Sequence, residues 1–352
     1  MTTCRSSRLF LIAAIACATL EGSAWCQGRP LTAVSWGGAY QDAQREVYFK
    51  PFSAKTGTRL VDESWDGGVG VLRAKIQGGA NNWDLVQVES EELQLGCEEG
   101  LFEKLDWSKI GGRDAYLQEA TNDCGVGAIL YNFVLAYDGD KFKGTVPQSW
   151  ADFFNTAKFP GKRSLRKGAK TNLEFALLAD GVKPADVYKL LSTPAGVDRA
   201  FKKLDTIKGN IVWWEKGAQP PQLLASGEAA IVSAYNGRIA AANKTDKKNF
   251  RISWTNSLFT IDSWVIMKGS PNKEQAEQFL AFAGSPKVQK DLPAHIPYGV
   301  TNKRSTELVD KALMPDLPTN PEHMASALQI SDKFWLENLD RLTQRFNAWV
   351  SK

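Results

Sequence analysis

The sequence predicts an α/β fold: a parallel sheet with helices on both faces, arranged as two lobes. Two observations predict it. Short apolar strand patterns alternate with helical patterns, the βαβα rhythm that lays crossover helices against a parallel sheet. The 352 residues are also long for a single hydrophobic core and suit two. With 43% hydrophobic residues, including 12 Trp, 17 Phe and 8 Tyr, the chain has ample apolar surface to bury, which excludes disorder as the main state.

Taken in order, Leu31–Trp36 (LTAVSW) reads as a strand ending in Gly37-Gly38. A helix follows, with Ala43 and Val47 one turn apart, and it must bend or end near Pro51. Arg59–Trp65 is a second strand, Val69–Ile76 a helix closed by Gly78-Gly79, and Asp84–Val88 an apolar strand. A second block starts near Ala136. Ser149 is the expected N-cap of a helix to Phe154. Val197, Phe201, Leu204 and Ile207 fall on one helical face and read as core. Ala229–Tyr235 and Ser263–Met267 are apolar strands, and Lys273–Ala283 is an amphipathic helix. Beyond Pro315, Pro318 and Pro321, one last helical stretch is expected from about Glu322 to Val350. Neither an internal repeat nor a low-complexity tract is present.

The first residues stand apart. Arg5 and Arg8 precede an uncharged run from Leu9 to Leu20, and Gly22-Ser23-Ala24 follow. Basic, apolar and small residues in this order make residues 1–26 a secretory signal peptide, read equally well with cleavage after Ala24 or Cys26. The apolar run is too short for a bilayer of about 30 Å. The mature chain is therefore expected to be exported and soluble. Of five cysteines, Cys4 and Cys17 go with that segment and Cys26 lies at its edge. Cys97 and Cys124 remain, and in an oxidising compartment they are expected to pair as a disulfide rather than bury as two separate thiols.

Composition narrows the function. A net charge of +4 from 43 basic and 39 acidic residues, spread along the chain, argues against nucleic-acid binding. Only His295 and His323 are available, too few for a His-rich metal centre, and no metal or cofactor is expected. No G-x-S-x-G elbow, Walker A loop or HExxH occurs. Gly125-Val126-Gly127 lacks the third glycine of a dinucleotide loop, and the S-x-x-K match at Ser164–Lys167 is short enough to arise by chance. Aromatic and acidic residues do recur at strand ends: Trp36 before two glycines, Tyr235-Asn236-Gly237, and Asp262 before Trp264. Ligands of open α/β sheets bind beyond the carboxyl ends of strands. Aromatic faces beside carboxylates there suit an alkylammonium ion, although each residue singly reads as well as core or solvated surface.

Seven segments in order then resemble a known family: SWGGAY with FKPFSAKTGTRL, NNWDLVQVESEEL, EEGLFEKLDWSKI, PQSWADFFNTAKFPGKRSL, LLASGEAAIVSAYNG, TIDSWVIMKGSPNKEQAEQFLAF and YGVTNK. They are similar to periplasmic substrate-binding proteins of ABC importers, in the spermidine/putrescine-binding group. The resemblance implies the type II periplasmic-binding-protein fold: two lobes joined by a two-strand hinge, with the ligand cleft between them. Residues 30–136 and 264–314 would form the first lobe, and 137–263 and 315–352 the second.

Position by position, the resemblance makes Trp36 and Tyr40 first-lobe aromatics of the site. Glu89 and Glu91 fall where the family has ligand-contacting Ser and Tyr. Glu174 falls on a glutamate that contacts an amine, Tyr235 replaces a stacking tryptophan, Asp262 keeps an ammonium-clamping aspartate, and Tyr298 keeps an aromatic near the hinge. Trp214, with Trp213 and Glu215, lies where loop contacts are expected. Two departures matter: Thr260 replaces a tryptophan, and Arg238 stands where some relatives carry aspartate. The implied function is capture of a small amine-bearing solute, a polyamine such as putrescine or spermidine, by a monomer that delivers it to an inner-membrane ABC permease. Arg238 opens an alternative. A guanidinium facing the cleft would repel a second ammonium and select a carboxylate, as in γ-aminobutyrate, unless Glu174 or Glu215 neutralises it or it lies paired on the surface. A secreted enzyme on the same two-lobed fold is the alternative of another class.

Overall fold

The computed structural model describes residues 28–79 and 81–352, so the expected signal peptide, 1–26, lies outside the described residues. Nine strands form one sheet: β1 (Leu31–Ser35), β2 (Leu60–Ser64), β3 (Leu85–Val88), β4 (Gly125–Asp138), β5 (Arg163–Arg166), β6 (Ile211–Trp214), β7 (Ile231–Tyr235), β8 (Phe250–Ile266) and β9 (Leu328–Gln329). Their order is β2-β1-β3-β8-β4-β7-β5-β6, with β9 against β8.

The α/β class holds, but the sheet is mixed. β1 runs parallel to β2 and β3, and β5 parallel to β6 and β7. Between these groups, β3–β8, β8–β4 and β4–β7 are antiparallel. Apolar patterning reports burial and not strand direction, so the alternation of elements could not reveal this. β4, of 14 residues, and β8, of 17, are long enough to belong to both groups. No break occurs at Ala136, which lies inside β4. β1 is buried throughout, as expected of a strand covered on both faces, whereas the edge strand β2 is largely exposed.

Local signals account for most helices. The Ser149 side chain accepts from Asp152 N–H and starts the helix Trp150–Phe154. Its Trp150 stacks on Phe175, with ring centroids 3.6 Å apart. Val197, Phe201 and Leu204 lie on the buried face of the helix Pro194–Asp205, with Ile207 buried just beyond it. One expectation is narrowed and one needs correction. Of the two outcomes expected near Pro51, a bend or an end, the helix after Gly37 does not end there. Proline has no N–H for Val47 O, and the helix widens into a π-turn at Arg45–Phe49, with Lys50 N–H donating to Arg45 O, before continuing through Thr56. The last stretch is also interrupted. After a short helix Pro321–Met324, Leu328 pairs with Leu258 in the sheet, and Ser331 caps a new helix, Asp332–Val350.

Glu174 is part of this framework rather than a free carboxylate. It is fully buried in the helix Asn172–Ala179. Its Oε1 accepts from Trp335 Nε1 at 2.7 Å and from the Tyr188 hydroxyl at 2.9 Å, which ties the helix Asp332–Val350 to the helix Asn172–Ala179. Burial pushes its carboxyl up to about 7, against those two hydrogen bonds. The native state then holds this proton through a pH range in which the unfolded chain has lost it. Stability from this group is fully present below about 4.5 and is lost as the pH rises through about 7. Glu174→Gln is expected to remove a loss of roughly 3 kcal/mol between pH 4.5 and 7.5, read from urea unfolding at both pH values. An unchanged pH slope would mean that Glu174 does not titrate there.

Cys97 and Cys124 form the expected disulfide, with Cα atoms 5.7 Å apart and a sequence separation of 27. It fastens the helix Ser90–Glu98 to the start of β4. A loop of that length is worth roughly 3.5 kcal/mol in the chain-entropy account. The double replacement of Cys97 and Cys124 by Ser should lower unfolding free energy by about this amount, and a change under about 1 kcal/mol would show that the bridge adds little.

Candidate functional site

Parallel strands bring their carboxyl ends to a common edge, and here two such edges face one another across a cavity of about 220 Å³. From one side come Trp36 after β1, Trp65 after β2 and Glu89 after β3. From the other come Arg166 at the end of β5, the Glu215–Ala218 turn after β6, and Tyr235 at the end of β7. The long strands supply the middle: Ile129 and Tyr131 from β4, and Asp262 from β8, with Tyr298 beside them.

The walls are aromatic. Trp36 stacks on Trp65 at 5.3 Å. Tyr40 meets Tyr298 edge-on at 5.2 Å, and Tyr131 meets Tyr235 at 5.3 Å. Tyr40 is held by Gln87, whose Nε2 donates to its hydroxyl at 2.7 Å while Ser35 Oγ donates to Gln87 Oε1. Gly38 has φ +54, and a Cβ there would lie 2.8 Å from Arg238 Nη1. Glycine at this position therefore allows both the left-handed turn and the approach of the guanidinium.

The charges divide into compensated and uncompensated groups. Glu89 accepts from Arg166 at 2.7 Å and from Lys170 at 2.9 Å, and Glu91 accepts from Lys170 at 2.6 Å. Burial works against the Glu89 anion, but Arg166 and Lys170 outweigh it and hold this carboxyl well below the usual range. Asp262 is different. It is 4% exposed and its Oδ1 has no protein partner. Burial, then the Glu89 charge, push its carboxyl well above the usual range, against the Tyr131 hydroxyl and the Lys170 charge. Arg238 is equally buried. Its Nη2 donates to Trp36 O at 3.1 Å, while Nε and Nη1 have no partner. Tyr298, pushed up to about 12 mainly by burial, feels both Arg238 and Asp262, and the two groups with unpartnered polar atoms share one cavity.

Seven of the ten expected site residues line this cavity: Trp36, Tyr40, Glu89, Tyr235, Arg238, Asp262 and Tyr298. Three do not. Glu174 is engaged by Trp335 and Tyr188. Glu91 sits behind Glu89, paired with Lys170. Trp214 is fully buried behind Tyr235, with ring centroids 5.4 Å apart, because it ends β6 pointing into the core. Glu215 pairs with Lys167, so neither acid considered as a partner for Arg238 is bonded to it. Thr260 also lies off the cavity, against Ser90 Oγ. Tyr131 and Arg166 were missed. Arg166 closes the strand RSLR, and its place at a strand end was the available signal; Tyr131, inside an apolar strand, gave none.

Among the described residues, no helix is long and apolar enough to cross a membrane, and no group of His, Cys, Asp or Glu has the arrangement of a metal site. The chain is 47% identical over 330 residues to a gamma-aminobutyric acid-binding protein of Pseudomonas aeruginosa, covering 94% of this chain and 93% of that protein. The solved structure of the Atu4243 GABA receptor superposes with a TM-score of 0.80 at 36% identity, covering 92% of this chain and 98% of that one. Similarity to the putrescine-binding periplasmic protein PotF of Escherichia coli is lower, 25% over 334 residues and 85% of each chain. The model of the bacterial extracellular solute-binding proteins matches residues 48–325, and the chain belongs to that family.

Proposed function

We propose that this protein is the periplasmic receptor of an ABC importer for γ-aminobutyrate or a similarly short ω-amino acid, which it hands to a membrane permease unchanged. One observation carries the reading: a buried carboxylate and a buried guanidinium, each with unpartnered polar atoms, face one small aromatic cavity. An unpaired charge in such a place is costly. A solute with an ammonium for Asp262 and a carboxylate for Arg238 would compensate both at once, with its methylene chain against Tyr40, Tyr131 and Tyr235. A diamine would compensate one and be repelled by the other. The greater similarity to proteins named for γ-aminobutyrate than to one named for putrescine supports the same choice and moves the polyamine expectation to second place.

The lobe division that goes with this reading is 30–136 with 264–314 against 137–263 with 315–352. The strand bounds are consistent with it: two of its three boundaries, after 136 and after 263, fall inside the long strands β4 and β8, and the third, after 314, falls in the turn of helix Lys311–Asp316. Closure is the work performed. A ligand touching both lobes binds the closed arrangement better than the open one and shifts the population toward it, with no bond made or broken.

Calorimetric titration tests the reading. γ-Aminobutyrate should bind the native protein and be recovered unaltered. Arg238→Ala and Asp262→Asn should each weaken it by tenfold or more, the range expected for hydrogen bonds to a buried charge, about 1.5–3 kcal/mol. Putrescine should bind Arg238→Ala at least as well as it binds the native protein. Equal responses of both ligands to Arg238→Ala would remove Arg238 from selection, and turnover of the solute would favour the secreted enzyme.

A further inference from the structure

The Glu89 wall of the cavity carries more charge than the ligand reading uses. Glu89 and Glu91 follow β3, are 5% and 6% exposed, and belong to one lobe. The cations that meet them, Arg166 and Lys170, come from the end of β5 and the turn after it, in the other lobe. Two buried carboxylates thus meet two cations. Lys170 Nζ lies 2.9 Å from Glu89 Oε2 and 2.6 Å from Glu91 Oε2, and the side chain is 9% exposed. Burial disfavours the Lys170 ammonium, but Glu89 and Glu91 outweigh it and hold the group above its usual range.

A linear diamine with one ammonium at Asp262 has to find buried negative charge for the other. Of the remaining carboxylates at the cavity, Asp66 and Glu215 stand at the rim, 59% and 65% exposed, and are taken by Lys216 and Lys167. Exposed pairs of this kind contribute little. That leaves Glu89 with Glu91 behind it, and both already hold an ammonium at the end of a four-carbon chain. We propose that Lys170 is a specificity-determining residue: its Nζ occupies the place that the second ammonium of a diamine would take, so the cleft admits solutes with one amine and turns away those with two. This rests on the reading of the ligand as a single-amine zwitterion. It adds a second means of rejection, independent of repulsion by Arg238.

The test is Lys170→Ala, studied as the full mature chain with three probes: 1,4-diaminobutane, n-propylammonium and γ-aminobutyrate. Removal of the side chain should leave a space that holds an alkylammonium. Expected results are a gain of at least tenfold in 1,4-diaminobutane affinity over the native protein, and a rise in melting temperature with n-propylammonium that the native protein does not show. The double variant Lys170→Ala with Glu91→Gln, which removes the surplus negative charge, should lose most of the diamine gain. A lysine that merely braces the fold would produce none of these ligand-dependent effects. A folded Lys170→Ala chain that binds neither cation better than the native protein overturns the proposal. If that chain folds only when purified with n-propylammonium, the dependence is itself the expected rescue, and failure to recover it even then counts against the proposal. Loss of the γ-aminobutyrate reading would appear instead as no binding of that probe to the native protein, which leaves the n-propylammonium result standing.

Discussion

The antiparallel pairing of β4 with β8 is the constraint on which the rest of the molecule depends. It runs from Gly125 opposite Val265 to Asp138 opposite Phe250, so one continuous ladder serves both halves of the sheet. Backbone pairing over that length sets where the two groups of parallel strands stand relative to each other. It also sets Ile129 opposite Asp262 and Tyr131 opposite Thr260, which brings Ile129, Tyr131 and Asp262 to the cavity. The register shifts between Gly127 and Ile129 and between Phe133 and Leu135 flank these positions. Interrupted pairing at such places bends and twists a ladder, here on either side of the residues that reach the cavity.

Around that axis, the cleft is organised by which charges are compensated within the protein and which await a solute. A buried ion pair needs good geometry to offset desolvation, and Glu89, Glu91, Arg166 and Lys170 supply it with four side chains from two lobes. These pairs join the end of β3 and the start of the helix Ser90–Glu98 to the end of β5 and the turn after it. The Asp332 carboxylate accepts from Ser90 Oγ, adding a contact between the C-terminal helix and the helix that opens beside Glu89. Asp262 and Arg238 stand apart from this network. Both are buried with unpartnered polar atoms, a costly arrangement that the proposed solute would relieve.

The chain itself determined more of this than its lack of catalytic motifs suggested. Period and punctuation marked β1, β2, β3 and β7, the Ser149 cap and the helix Lys273–Ala283, because these depend on neighbours within a few residues. Export and the small number of remaining cysteines pointed to Cys97 with Cys124. The strand-end aromatics, Asp262 and Arg238 were legible because the carboxyl edge of an α/β sheet is where ligands bind, whatever the strand directions further along. What only the tertiary structure decided was pairing. The direction of β4 and β8 depends on partners more than 100 residues apart in sequence, and period-2 patterning is blind to it. Glu174 and Glu91 have the same chemistry as a ligand-binding acid, and only the side chains brought against them, Trp335 with Tyr188 and Lys170, make them structural. Trp214 was misjudged for the same reason: its neighbours in sequence lie on the cavity rim, while its own side of the strand faces the core.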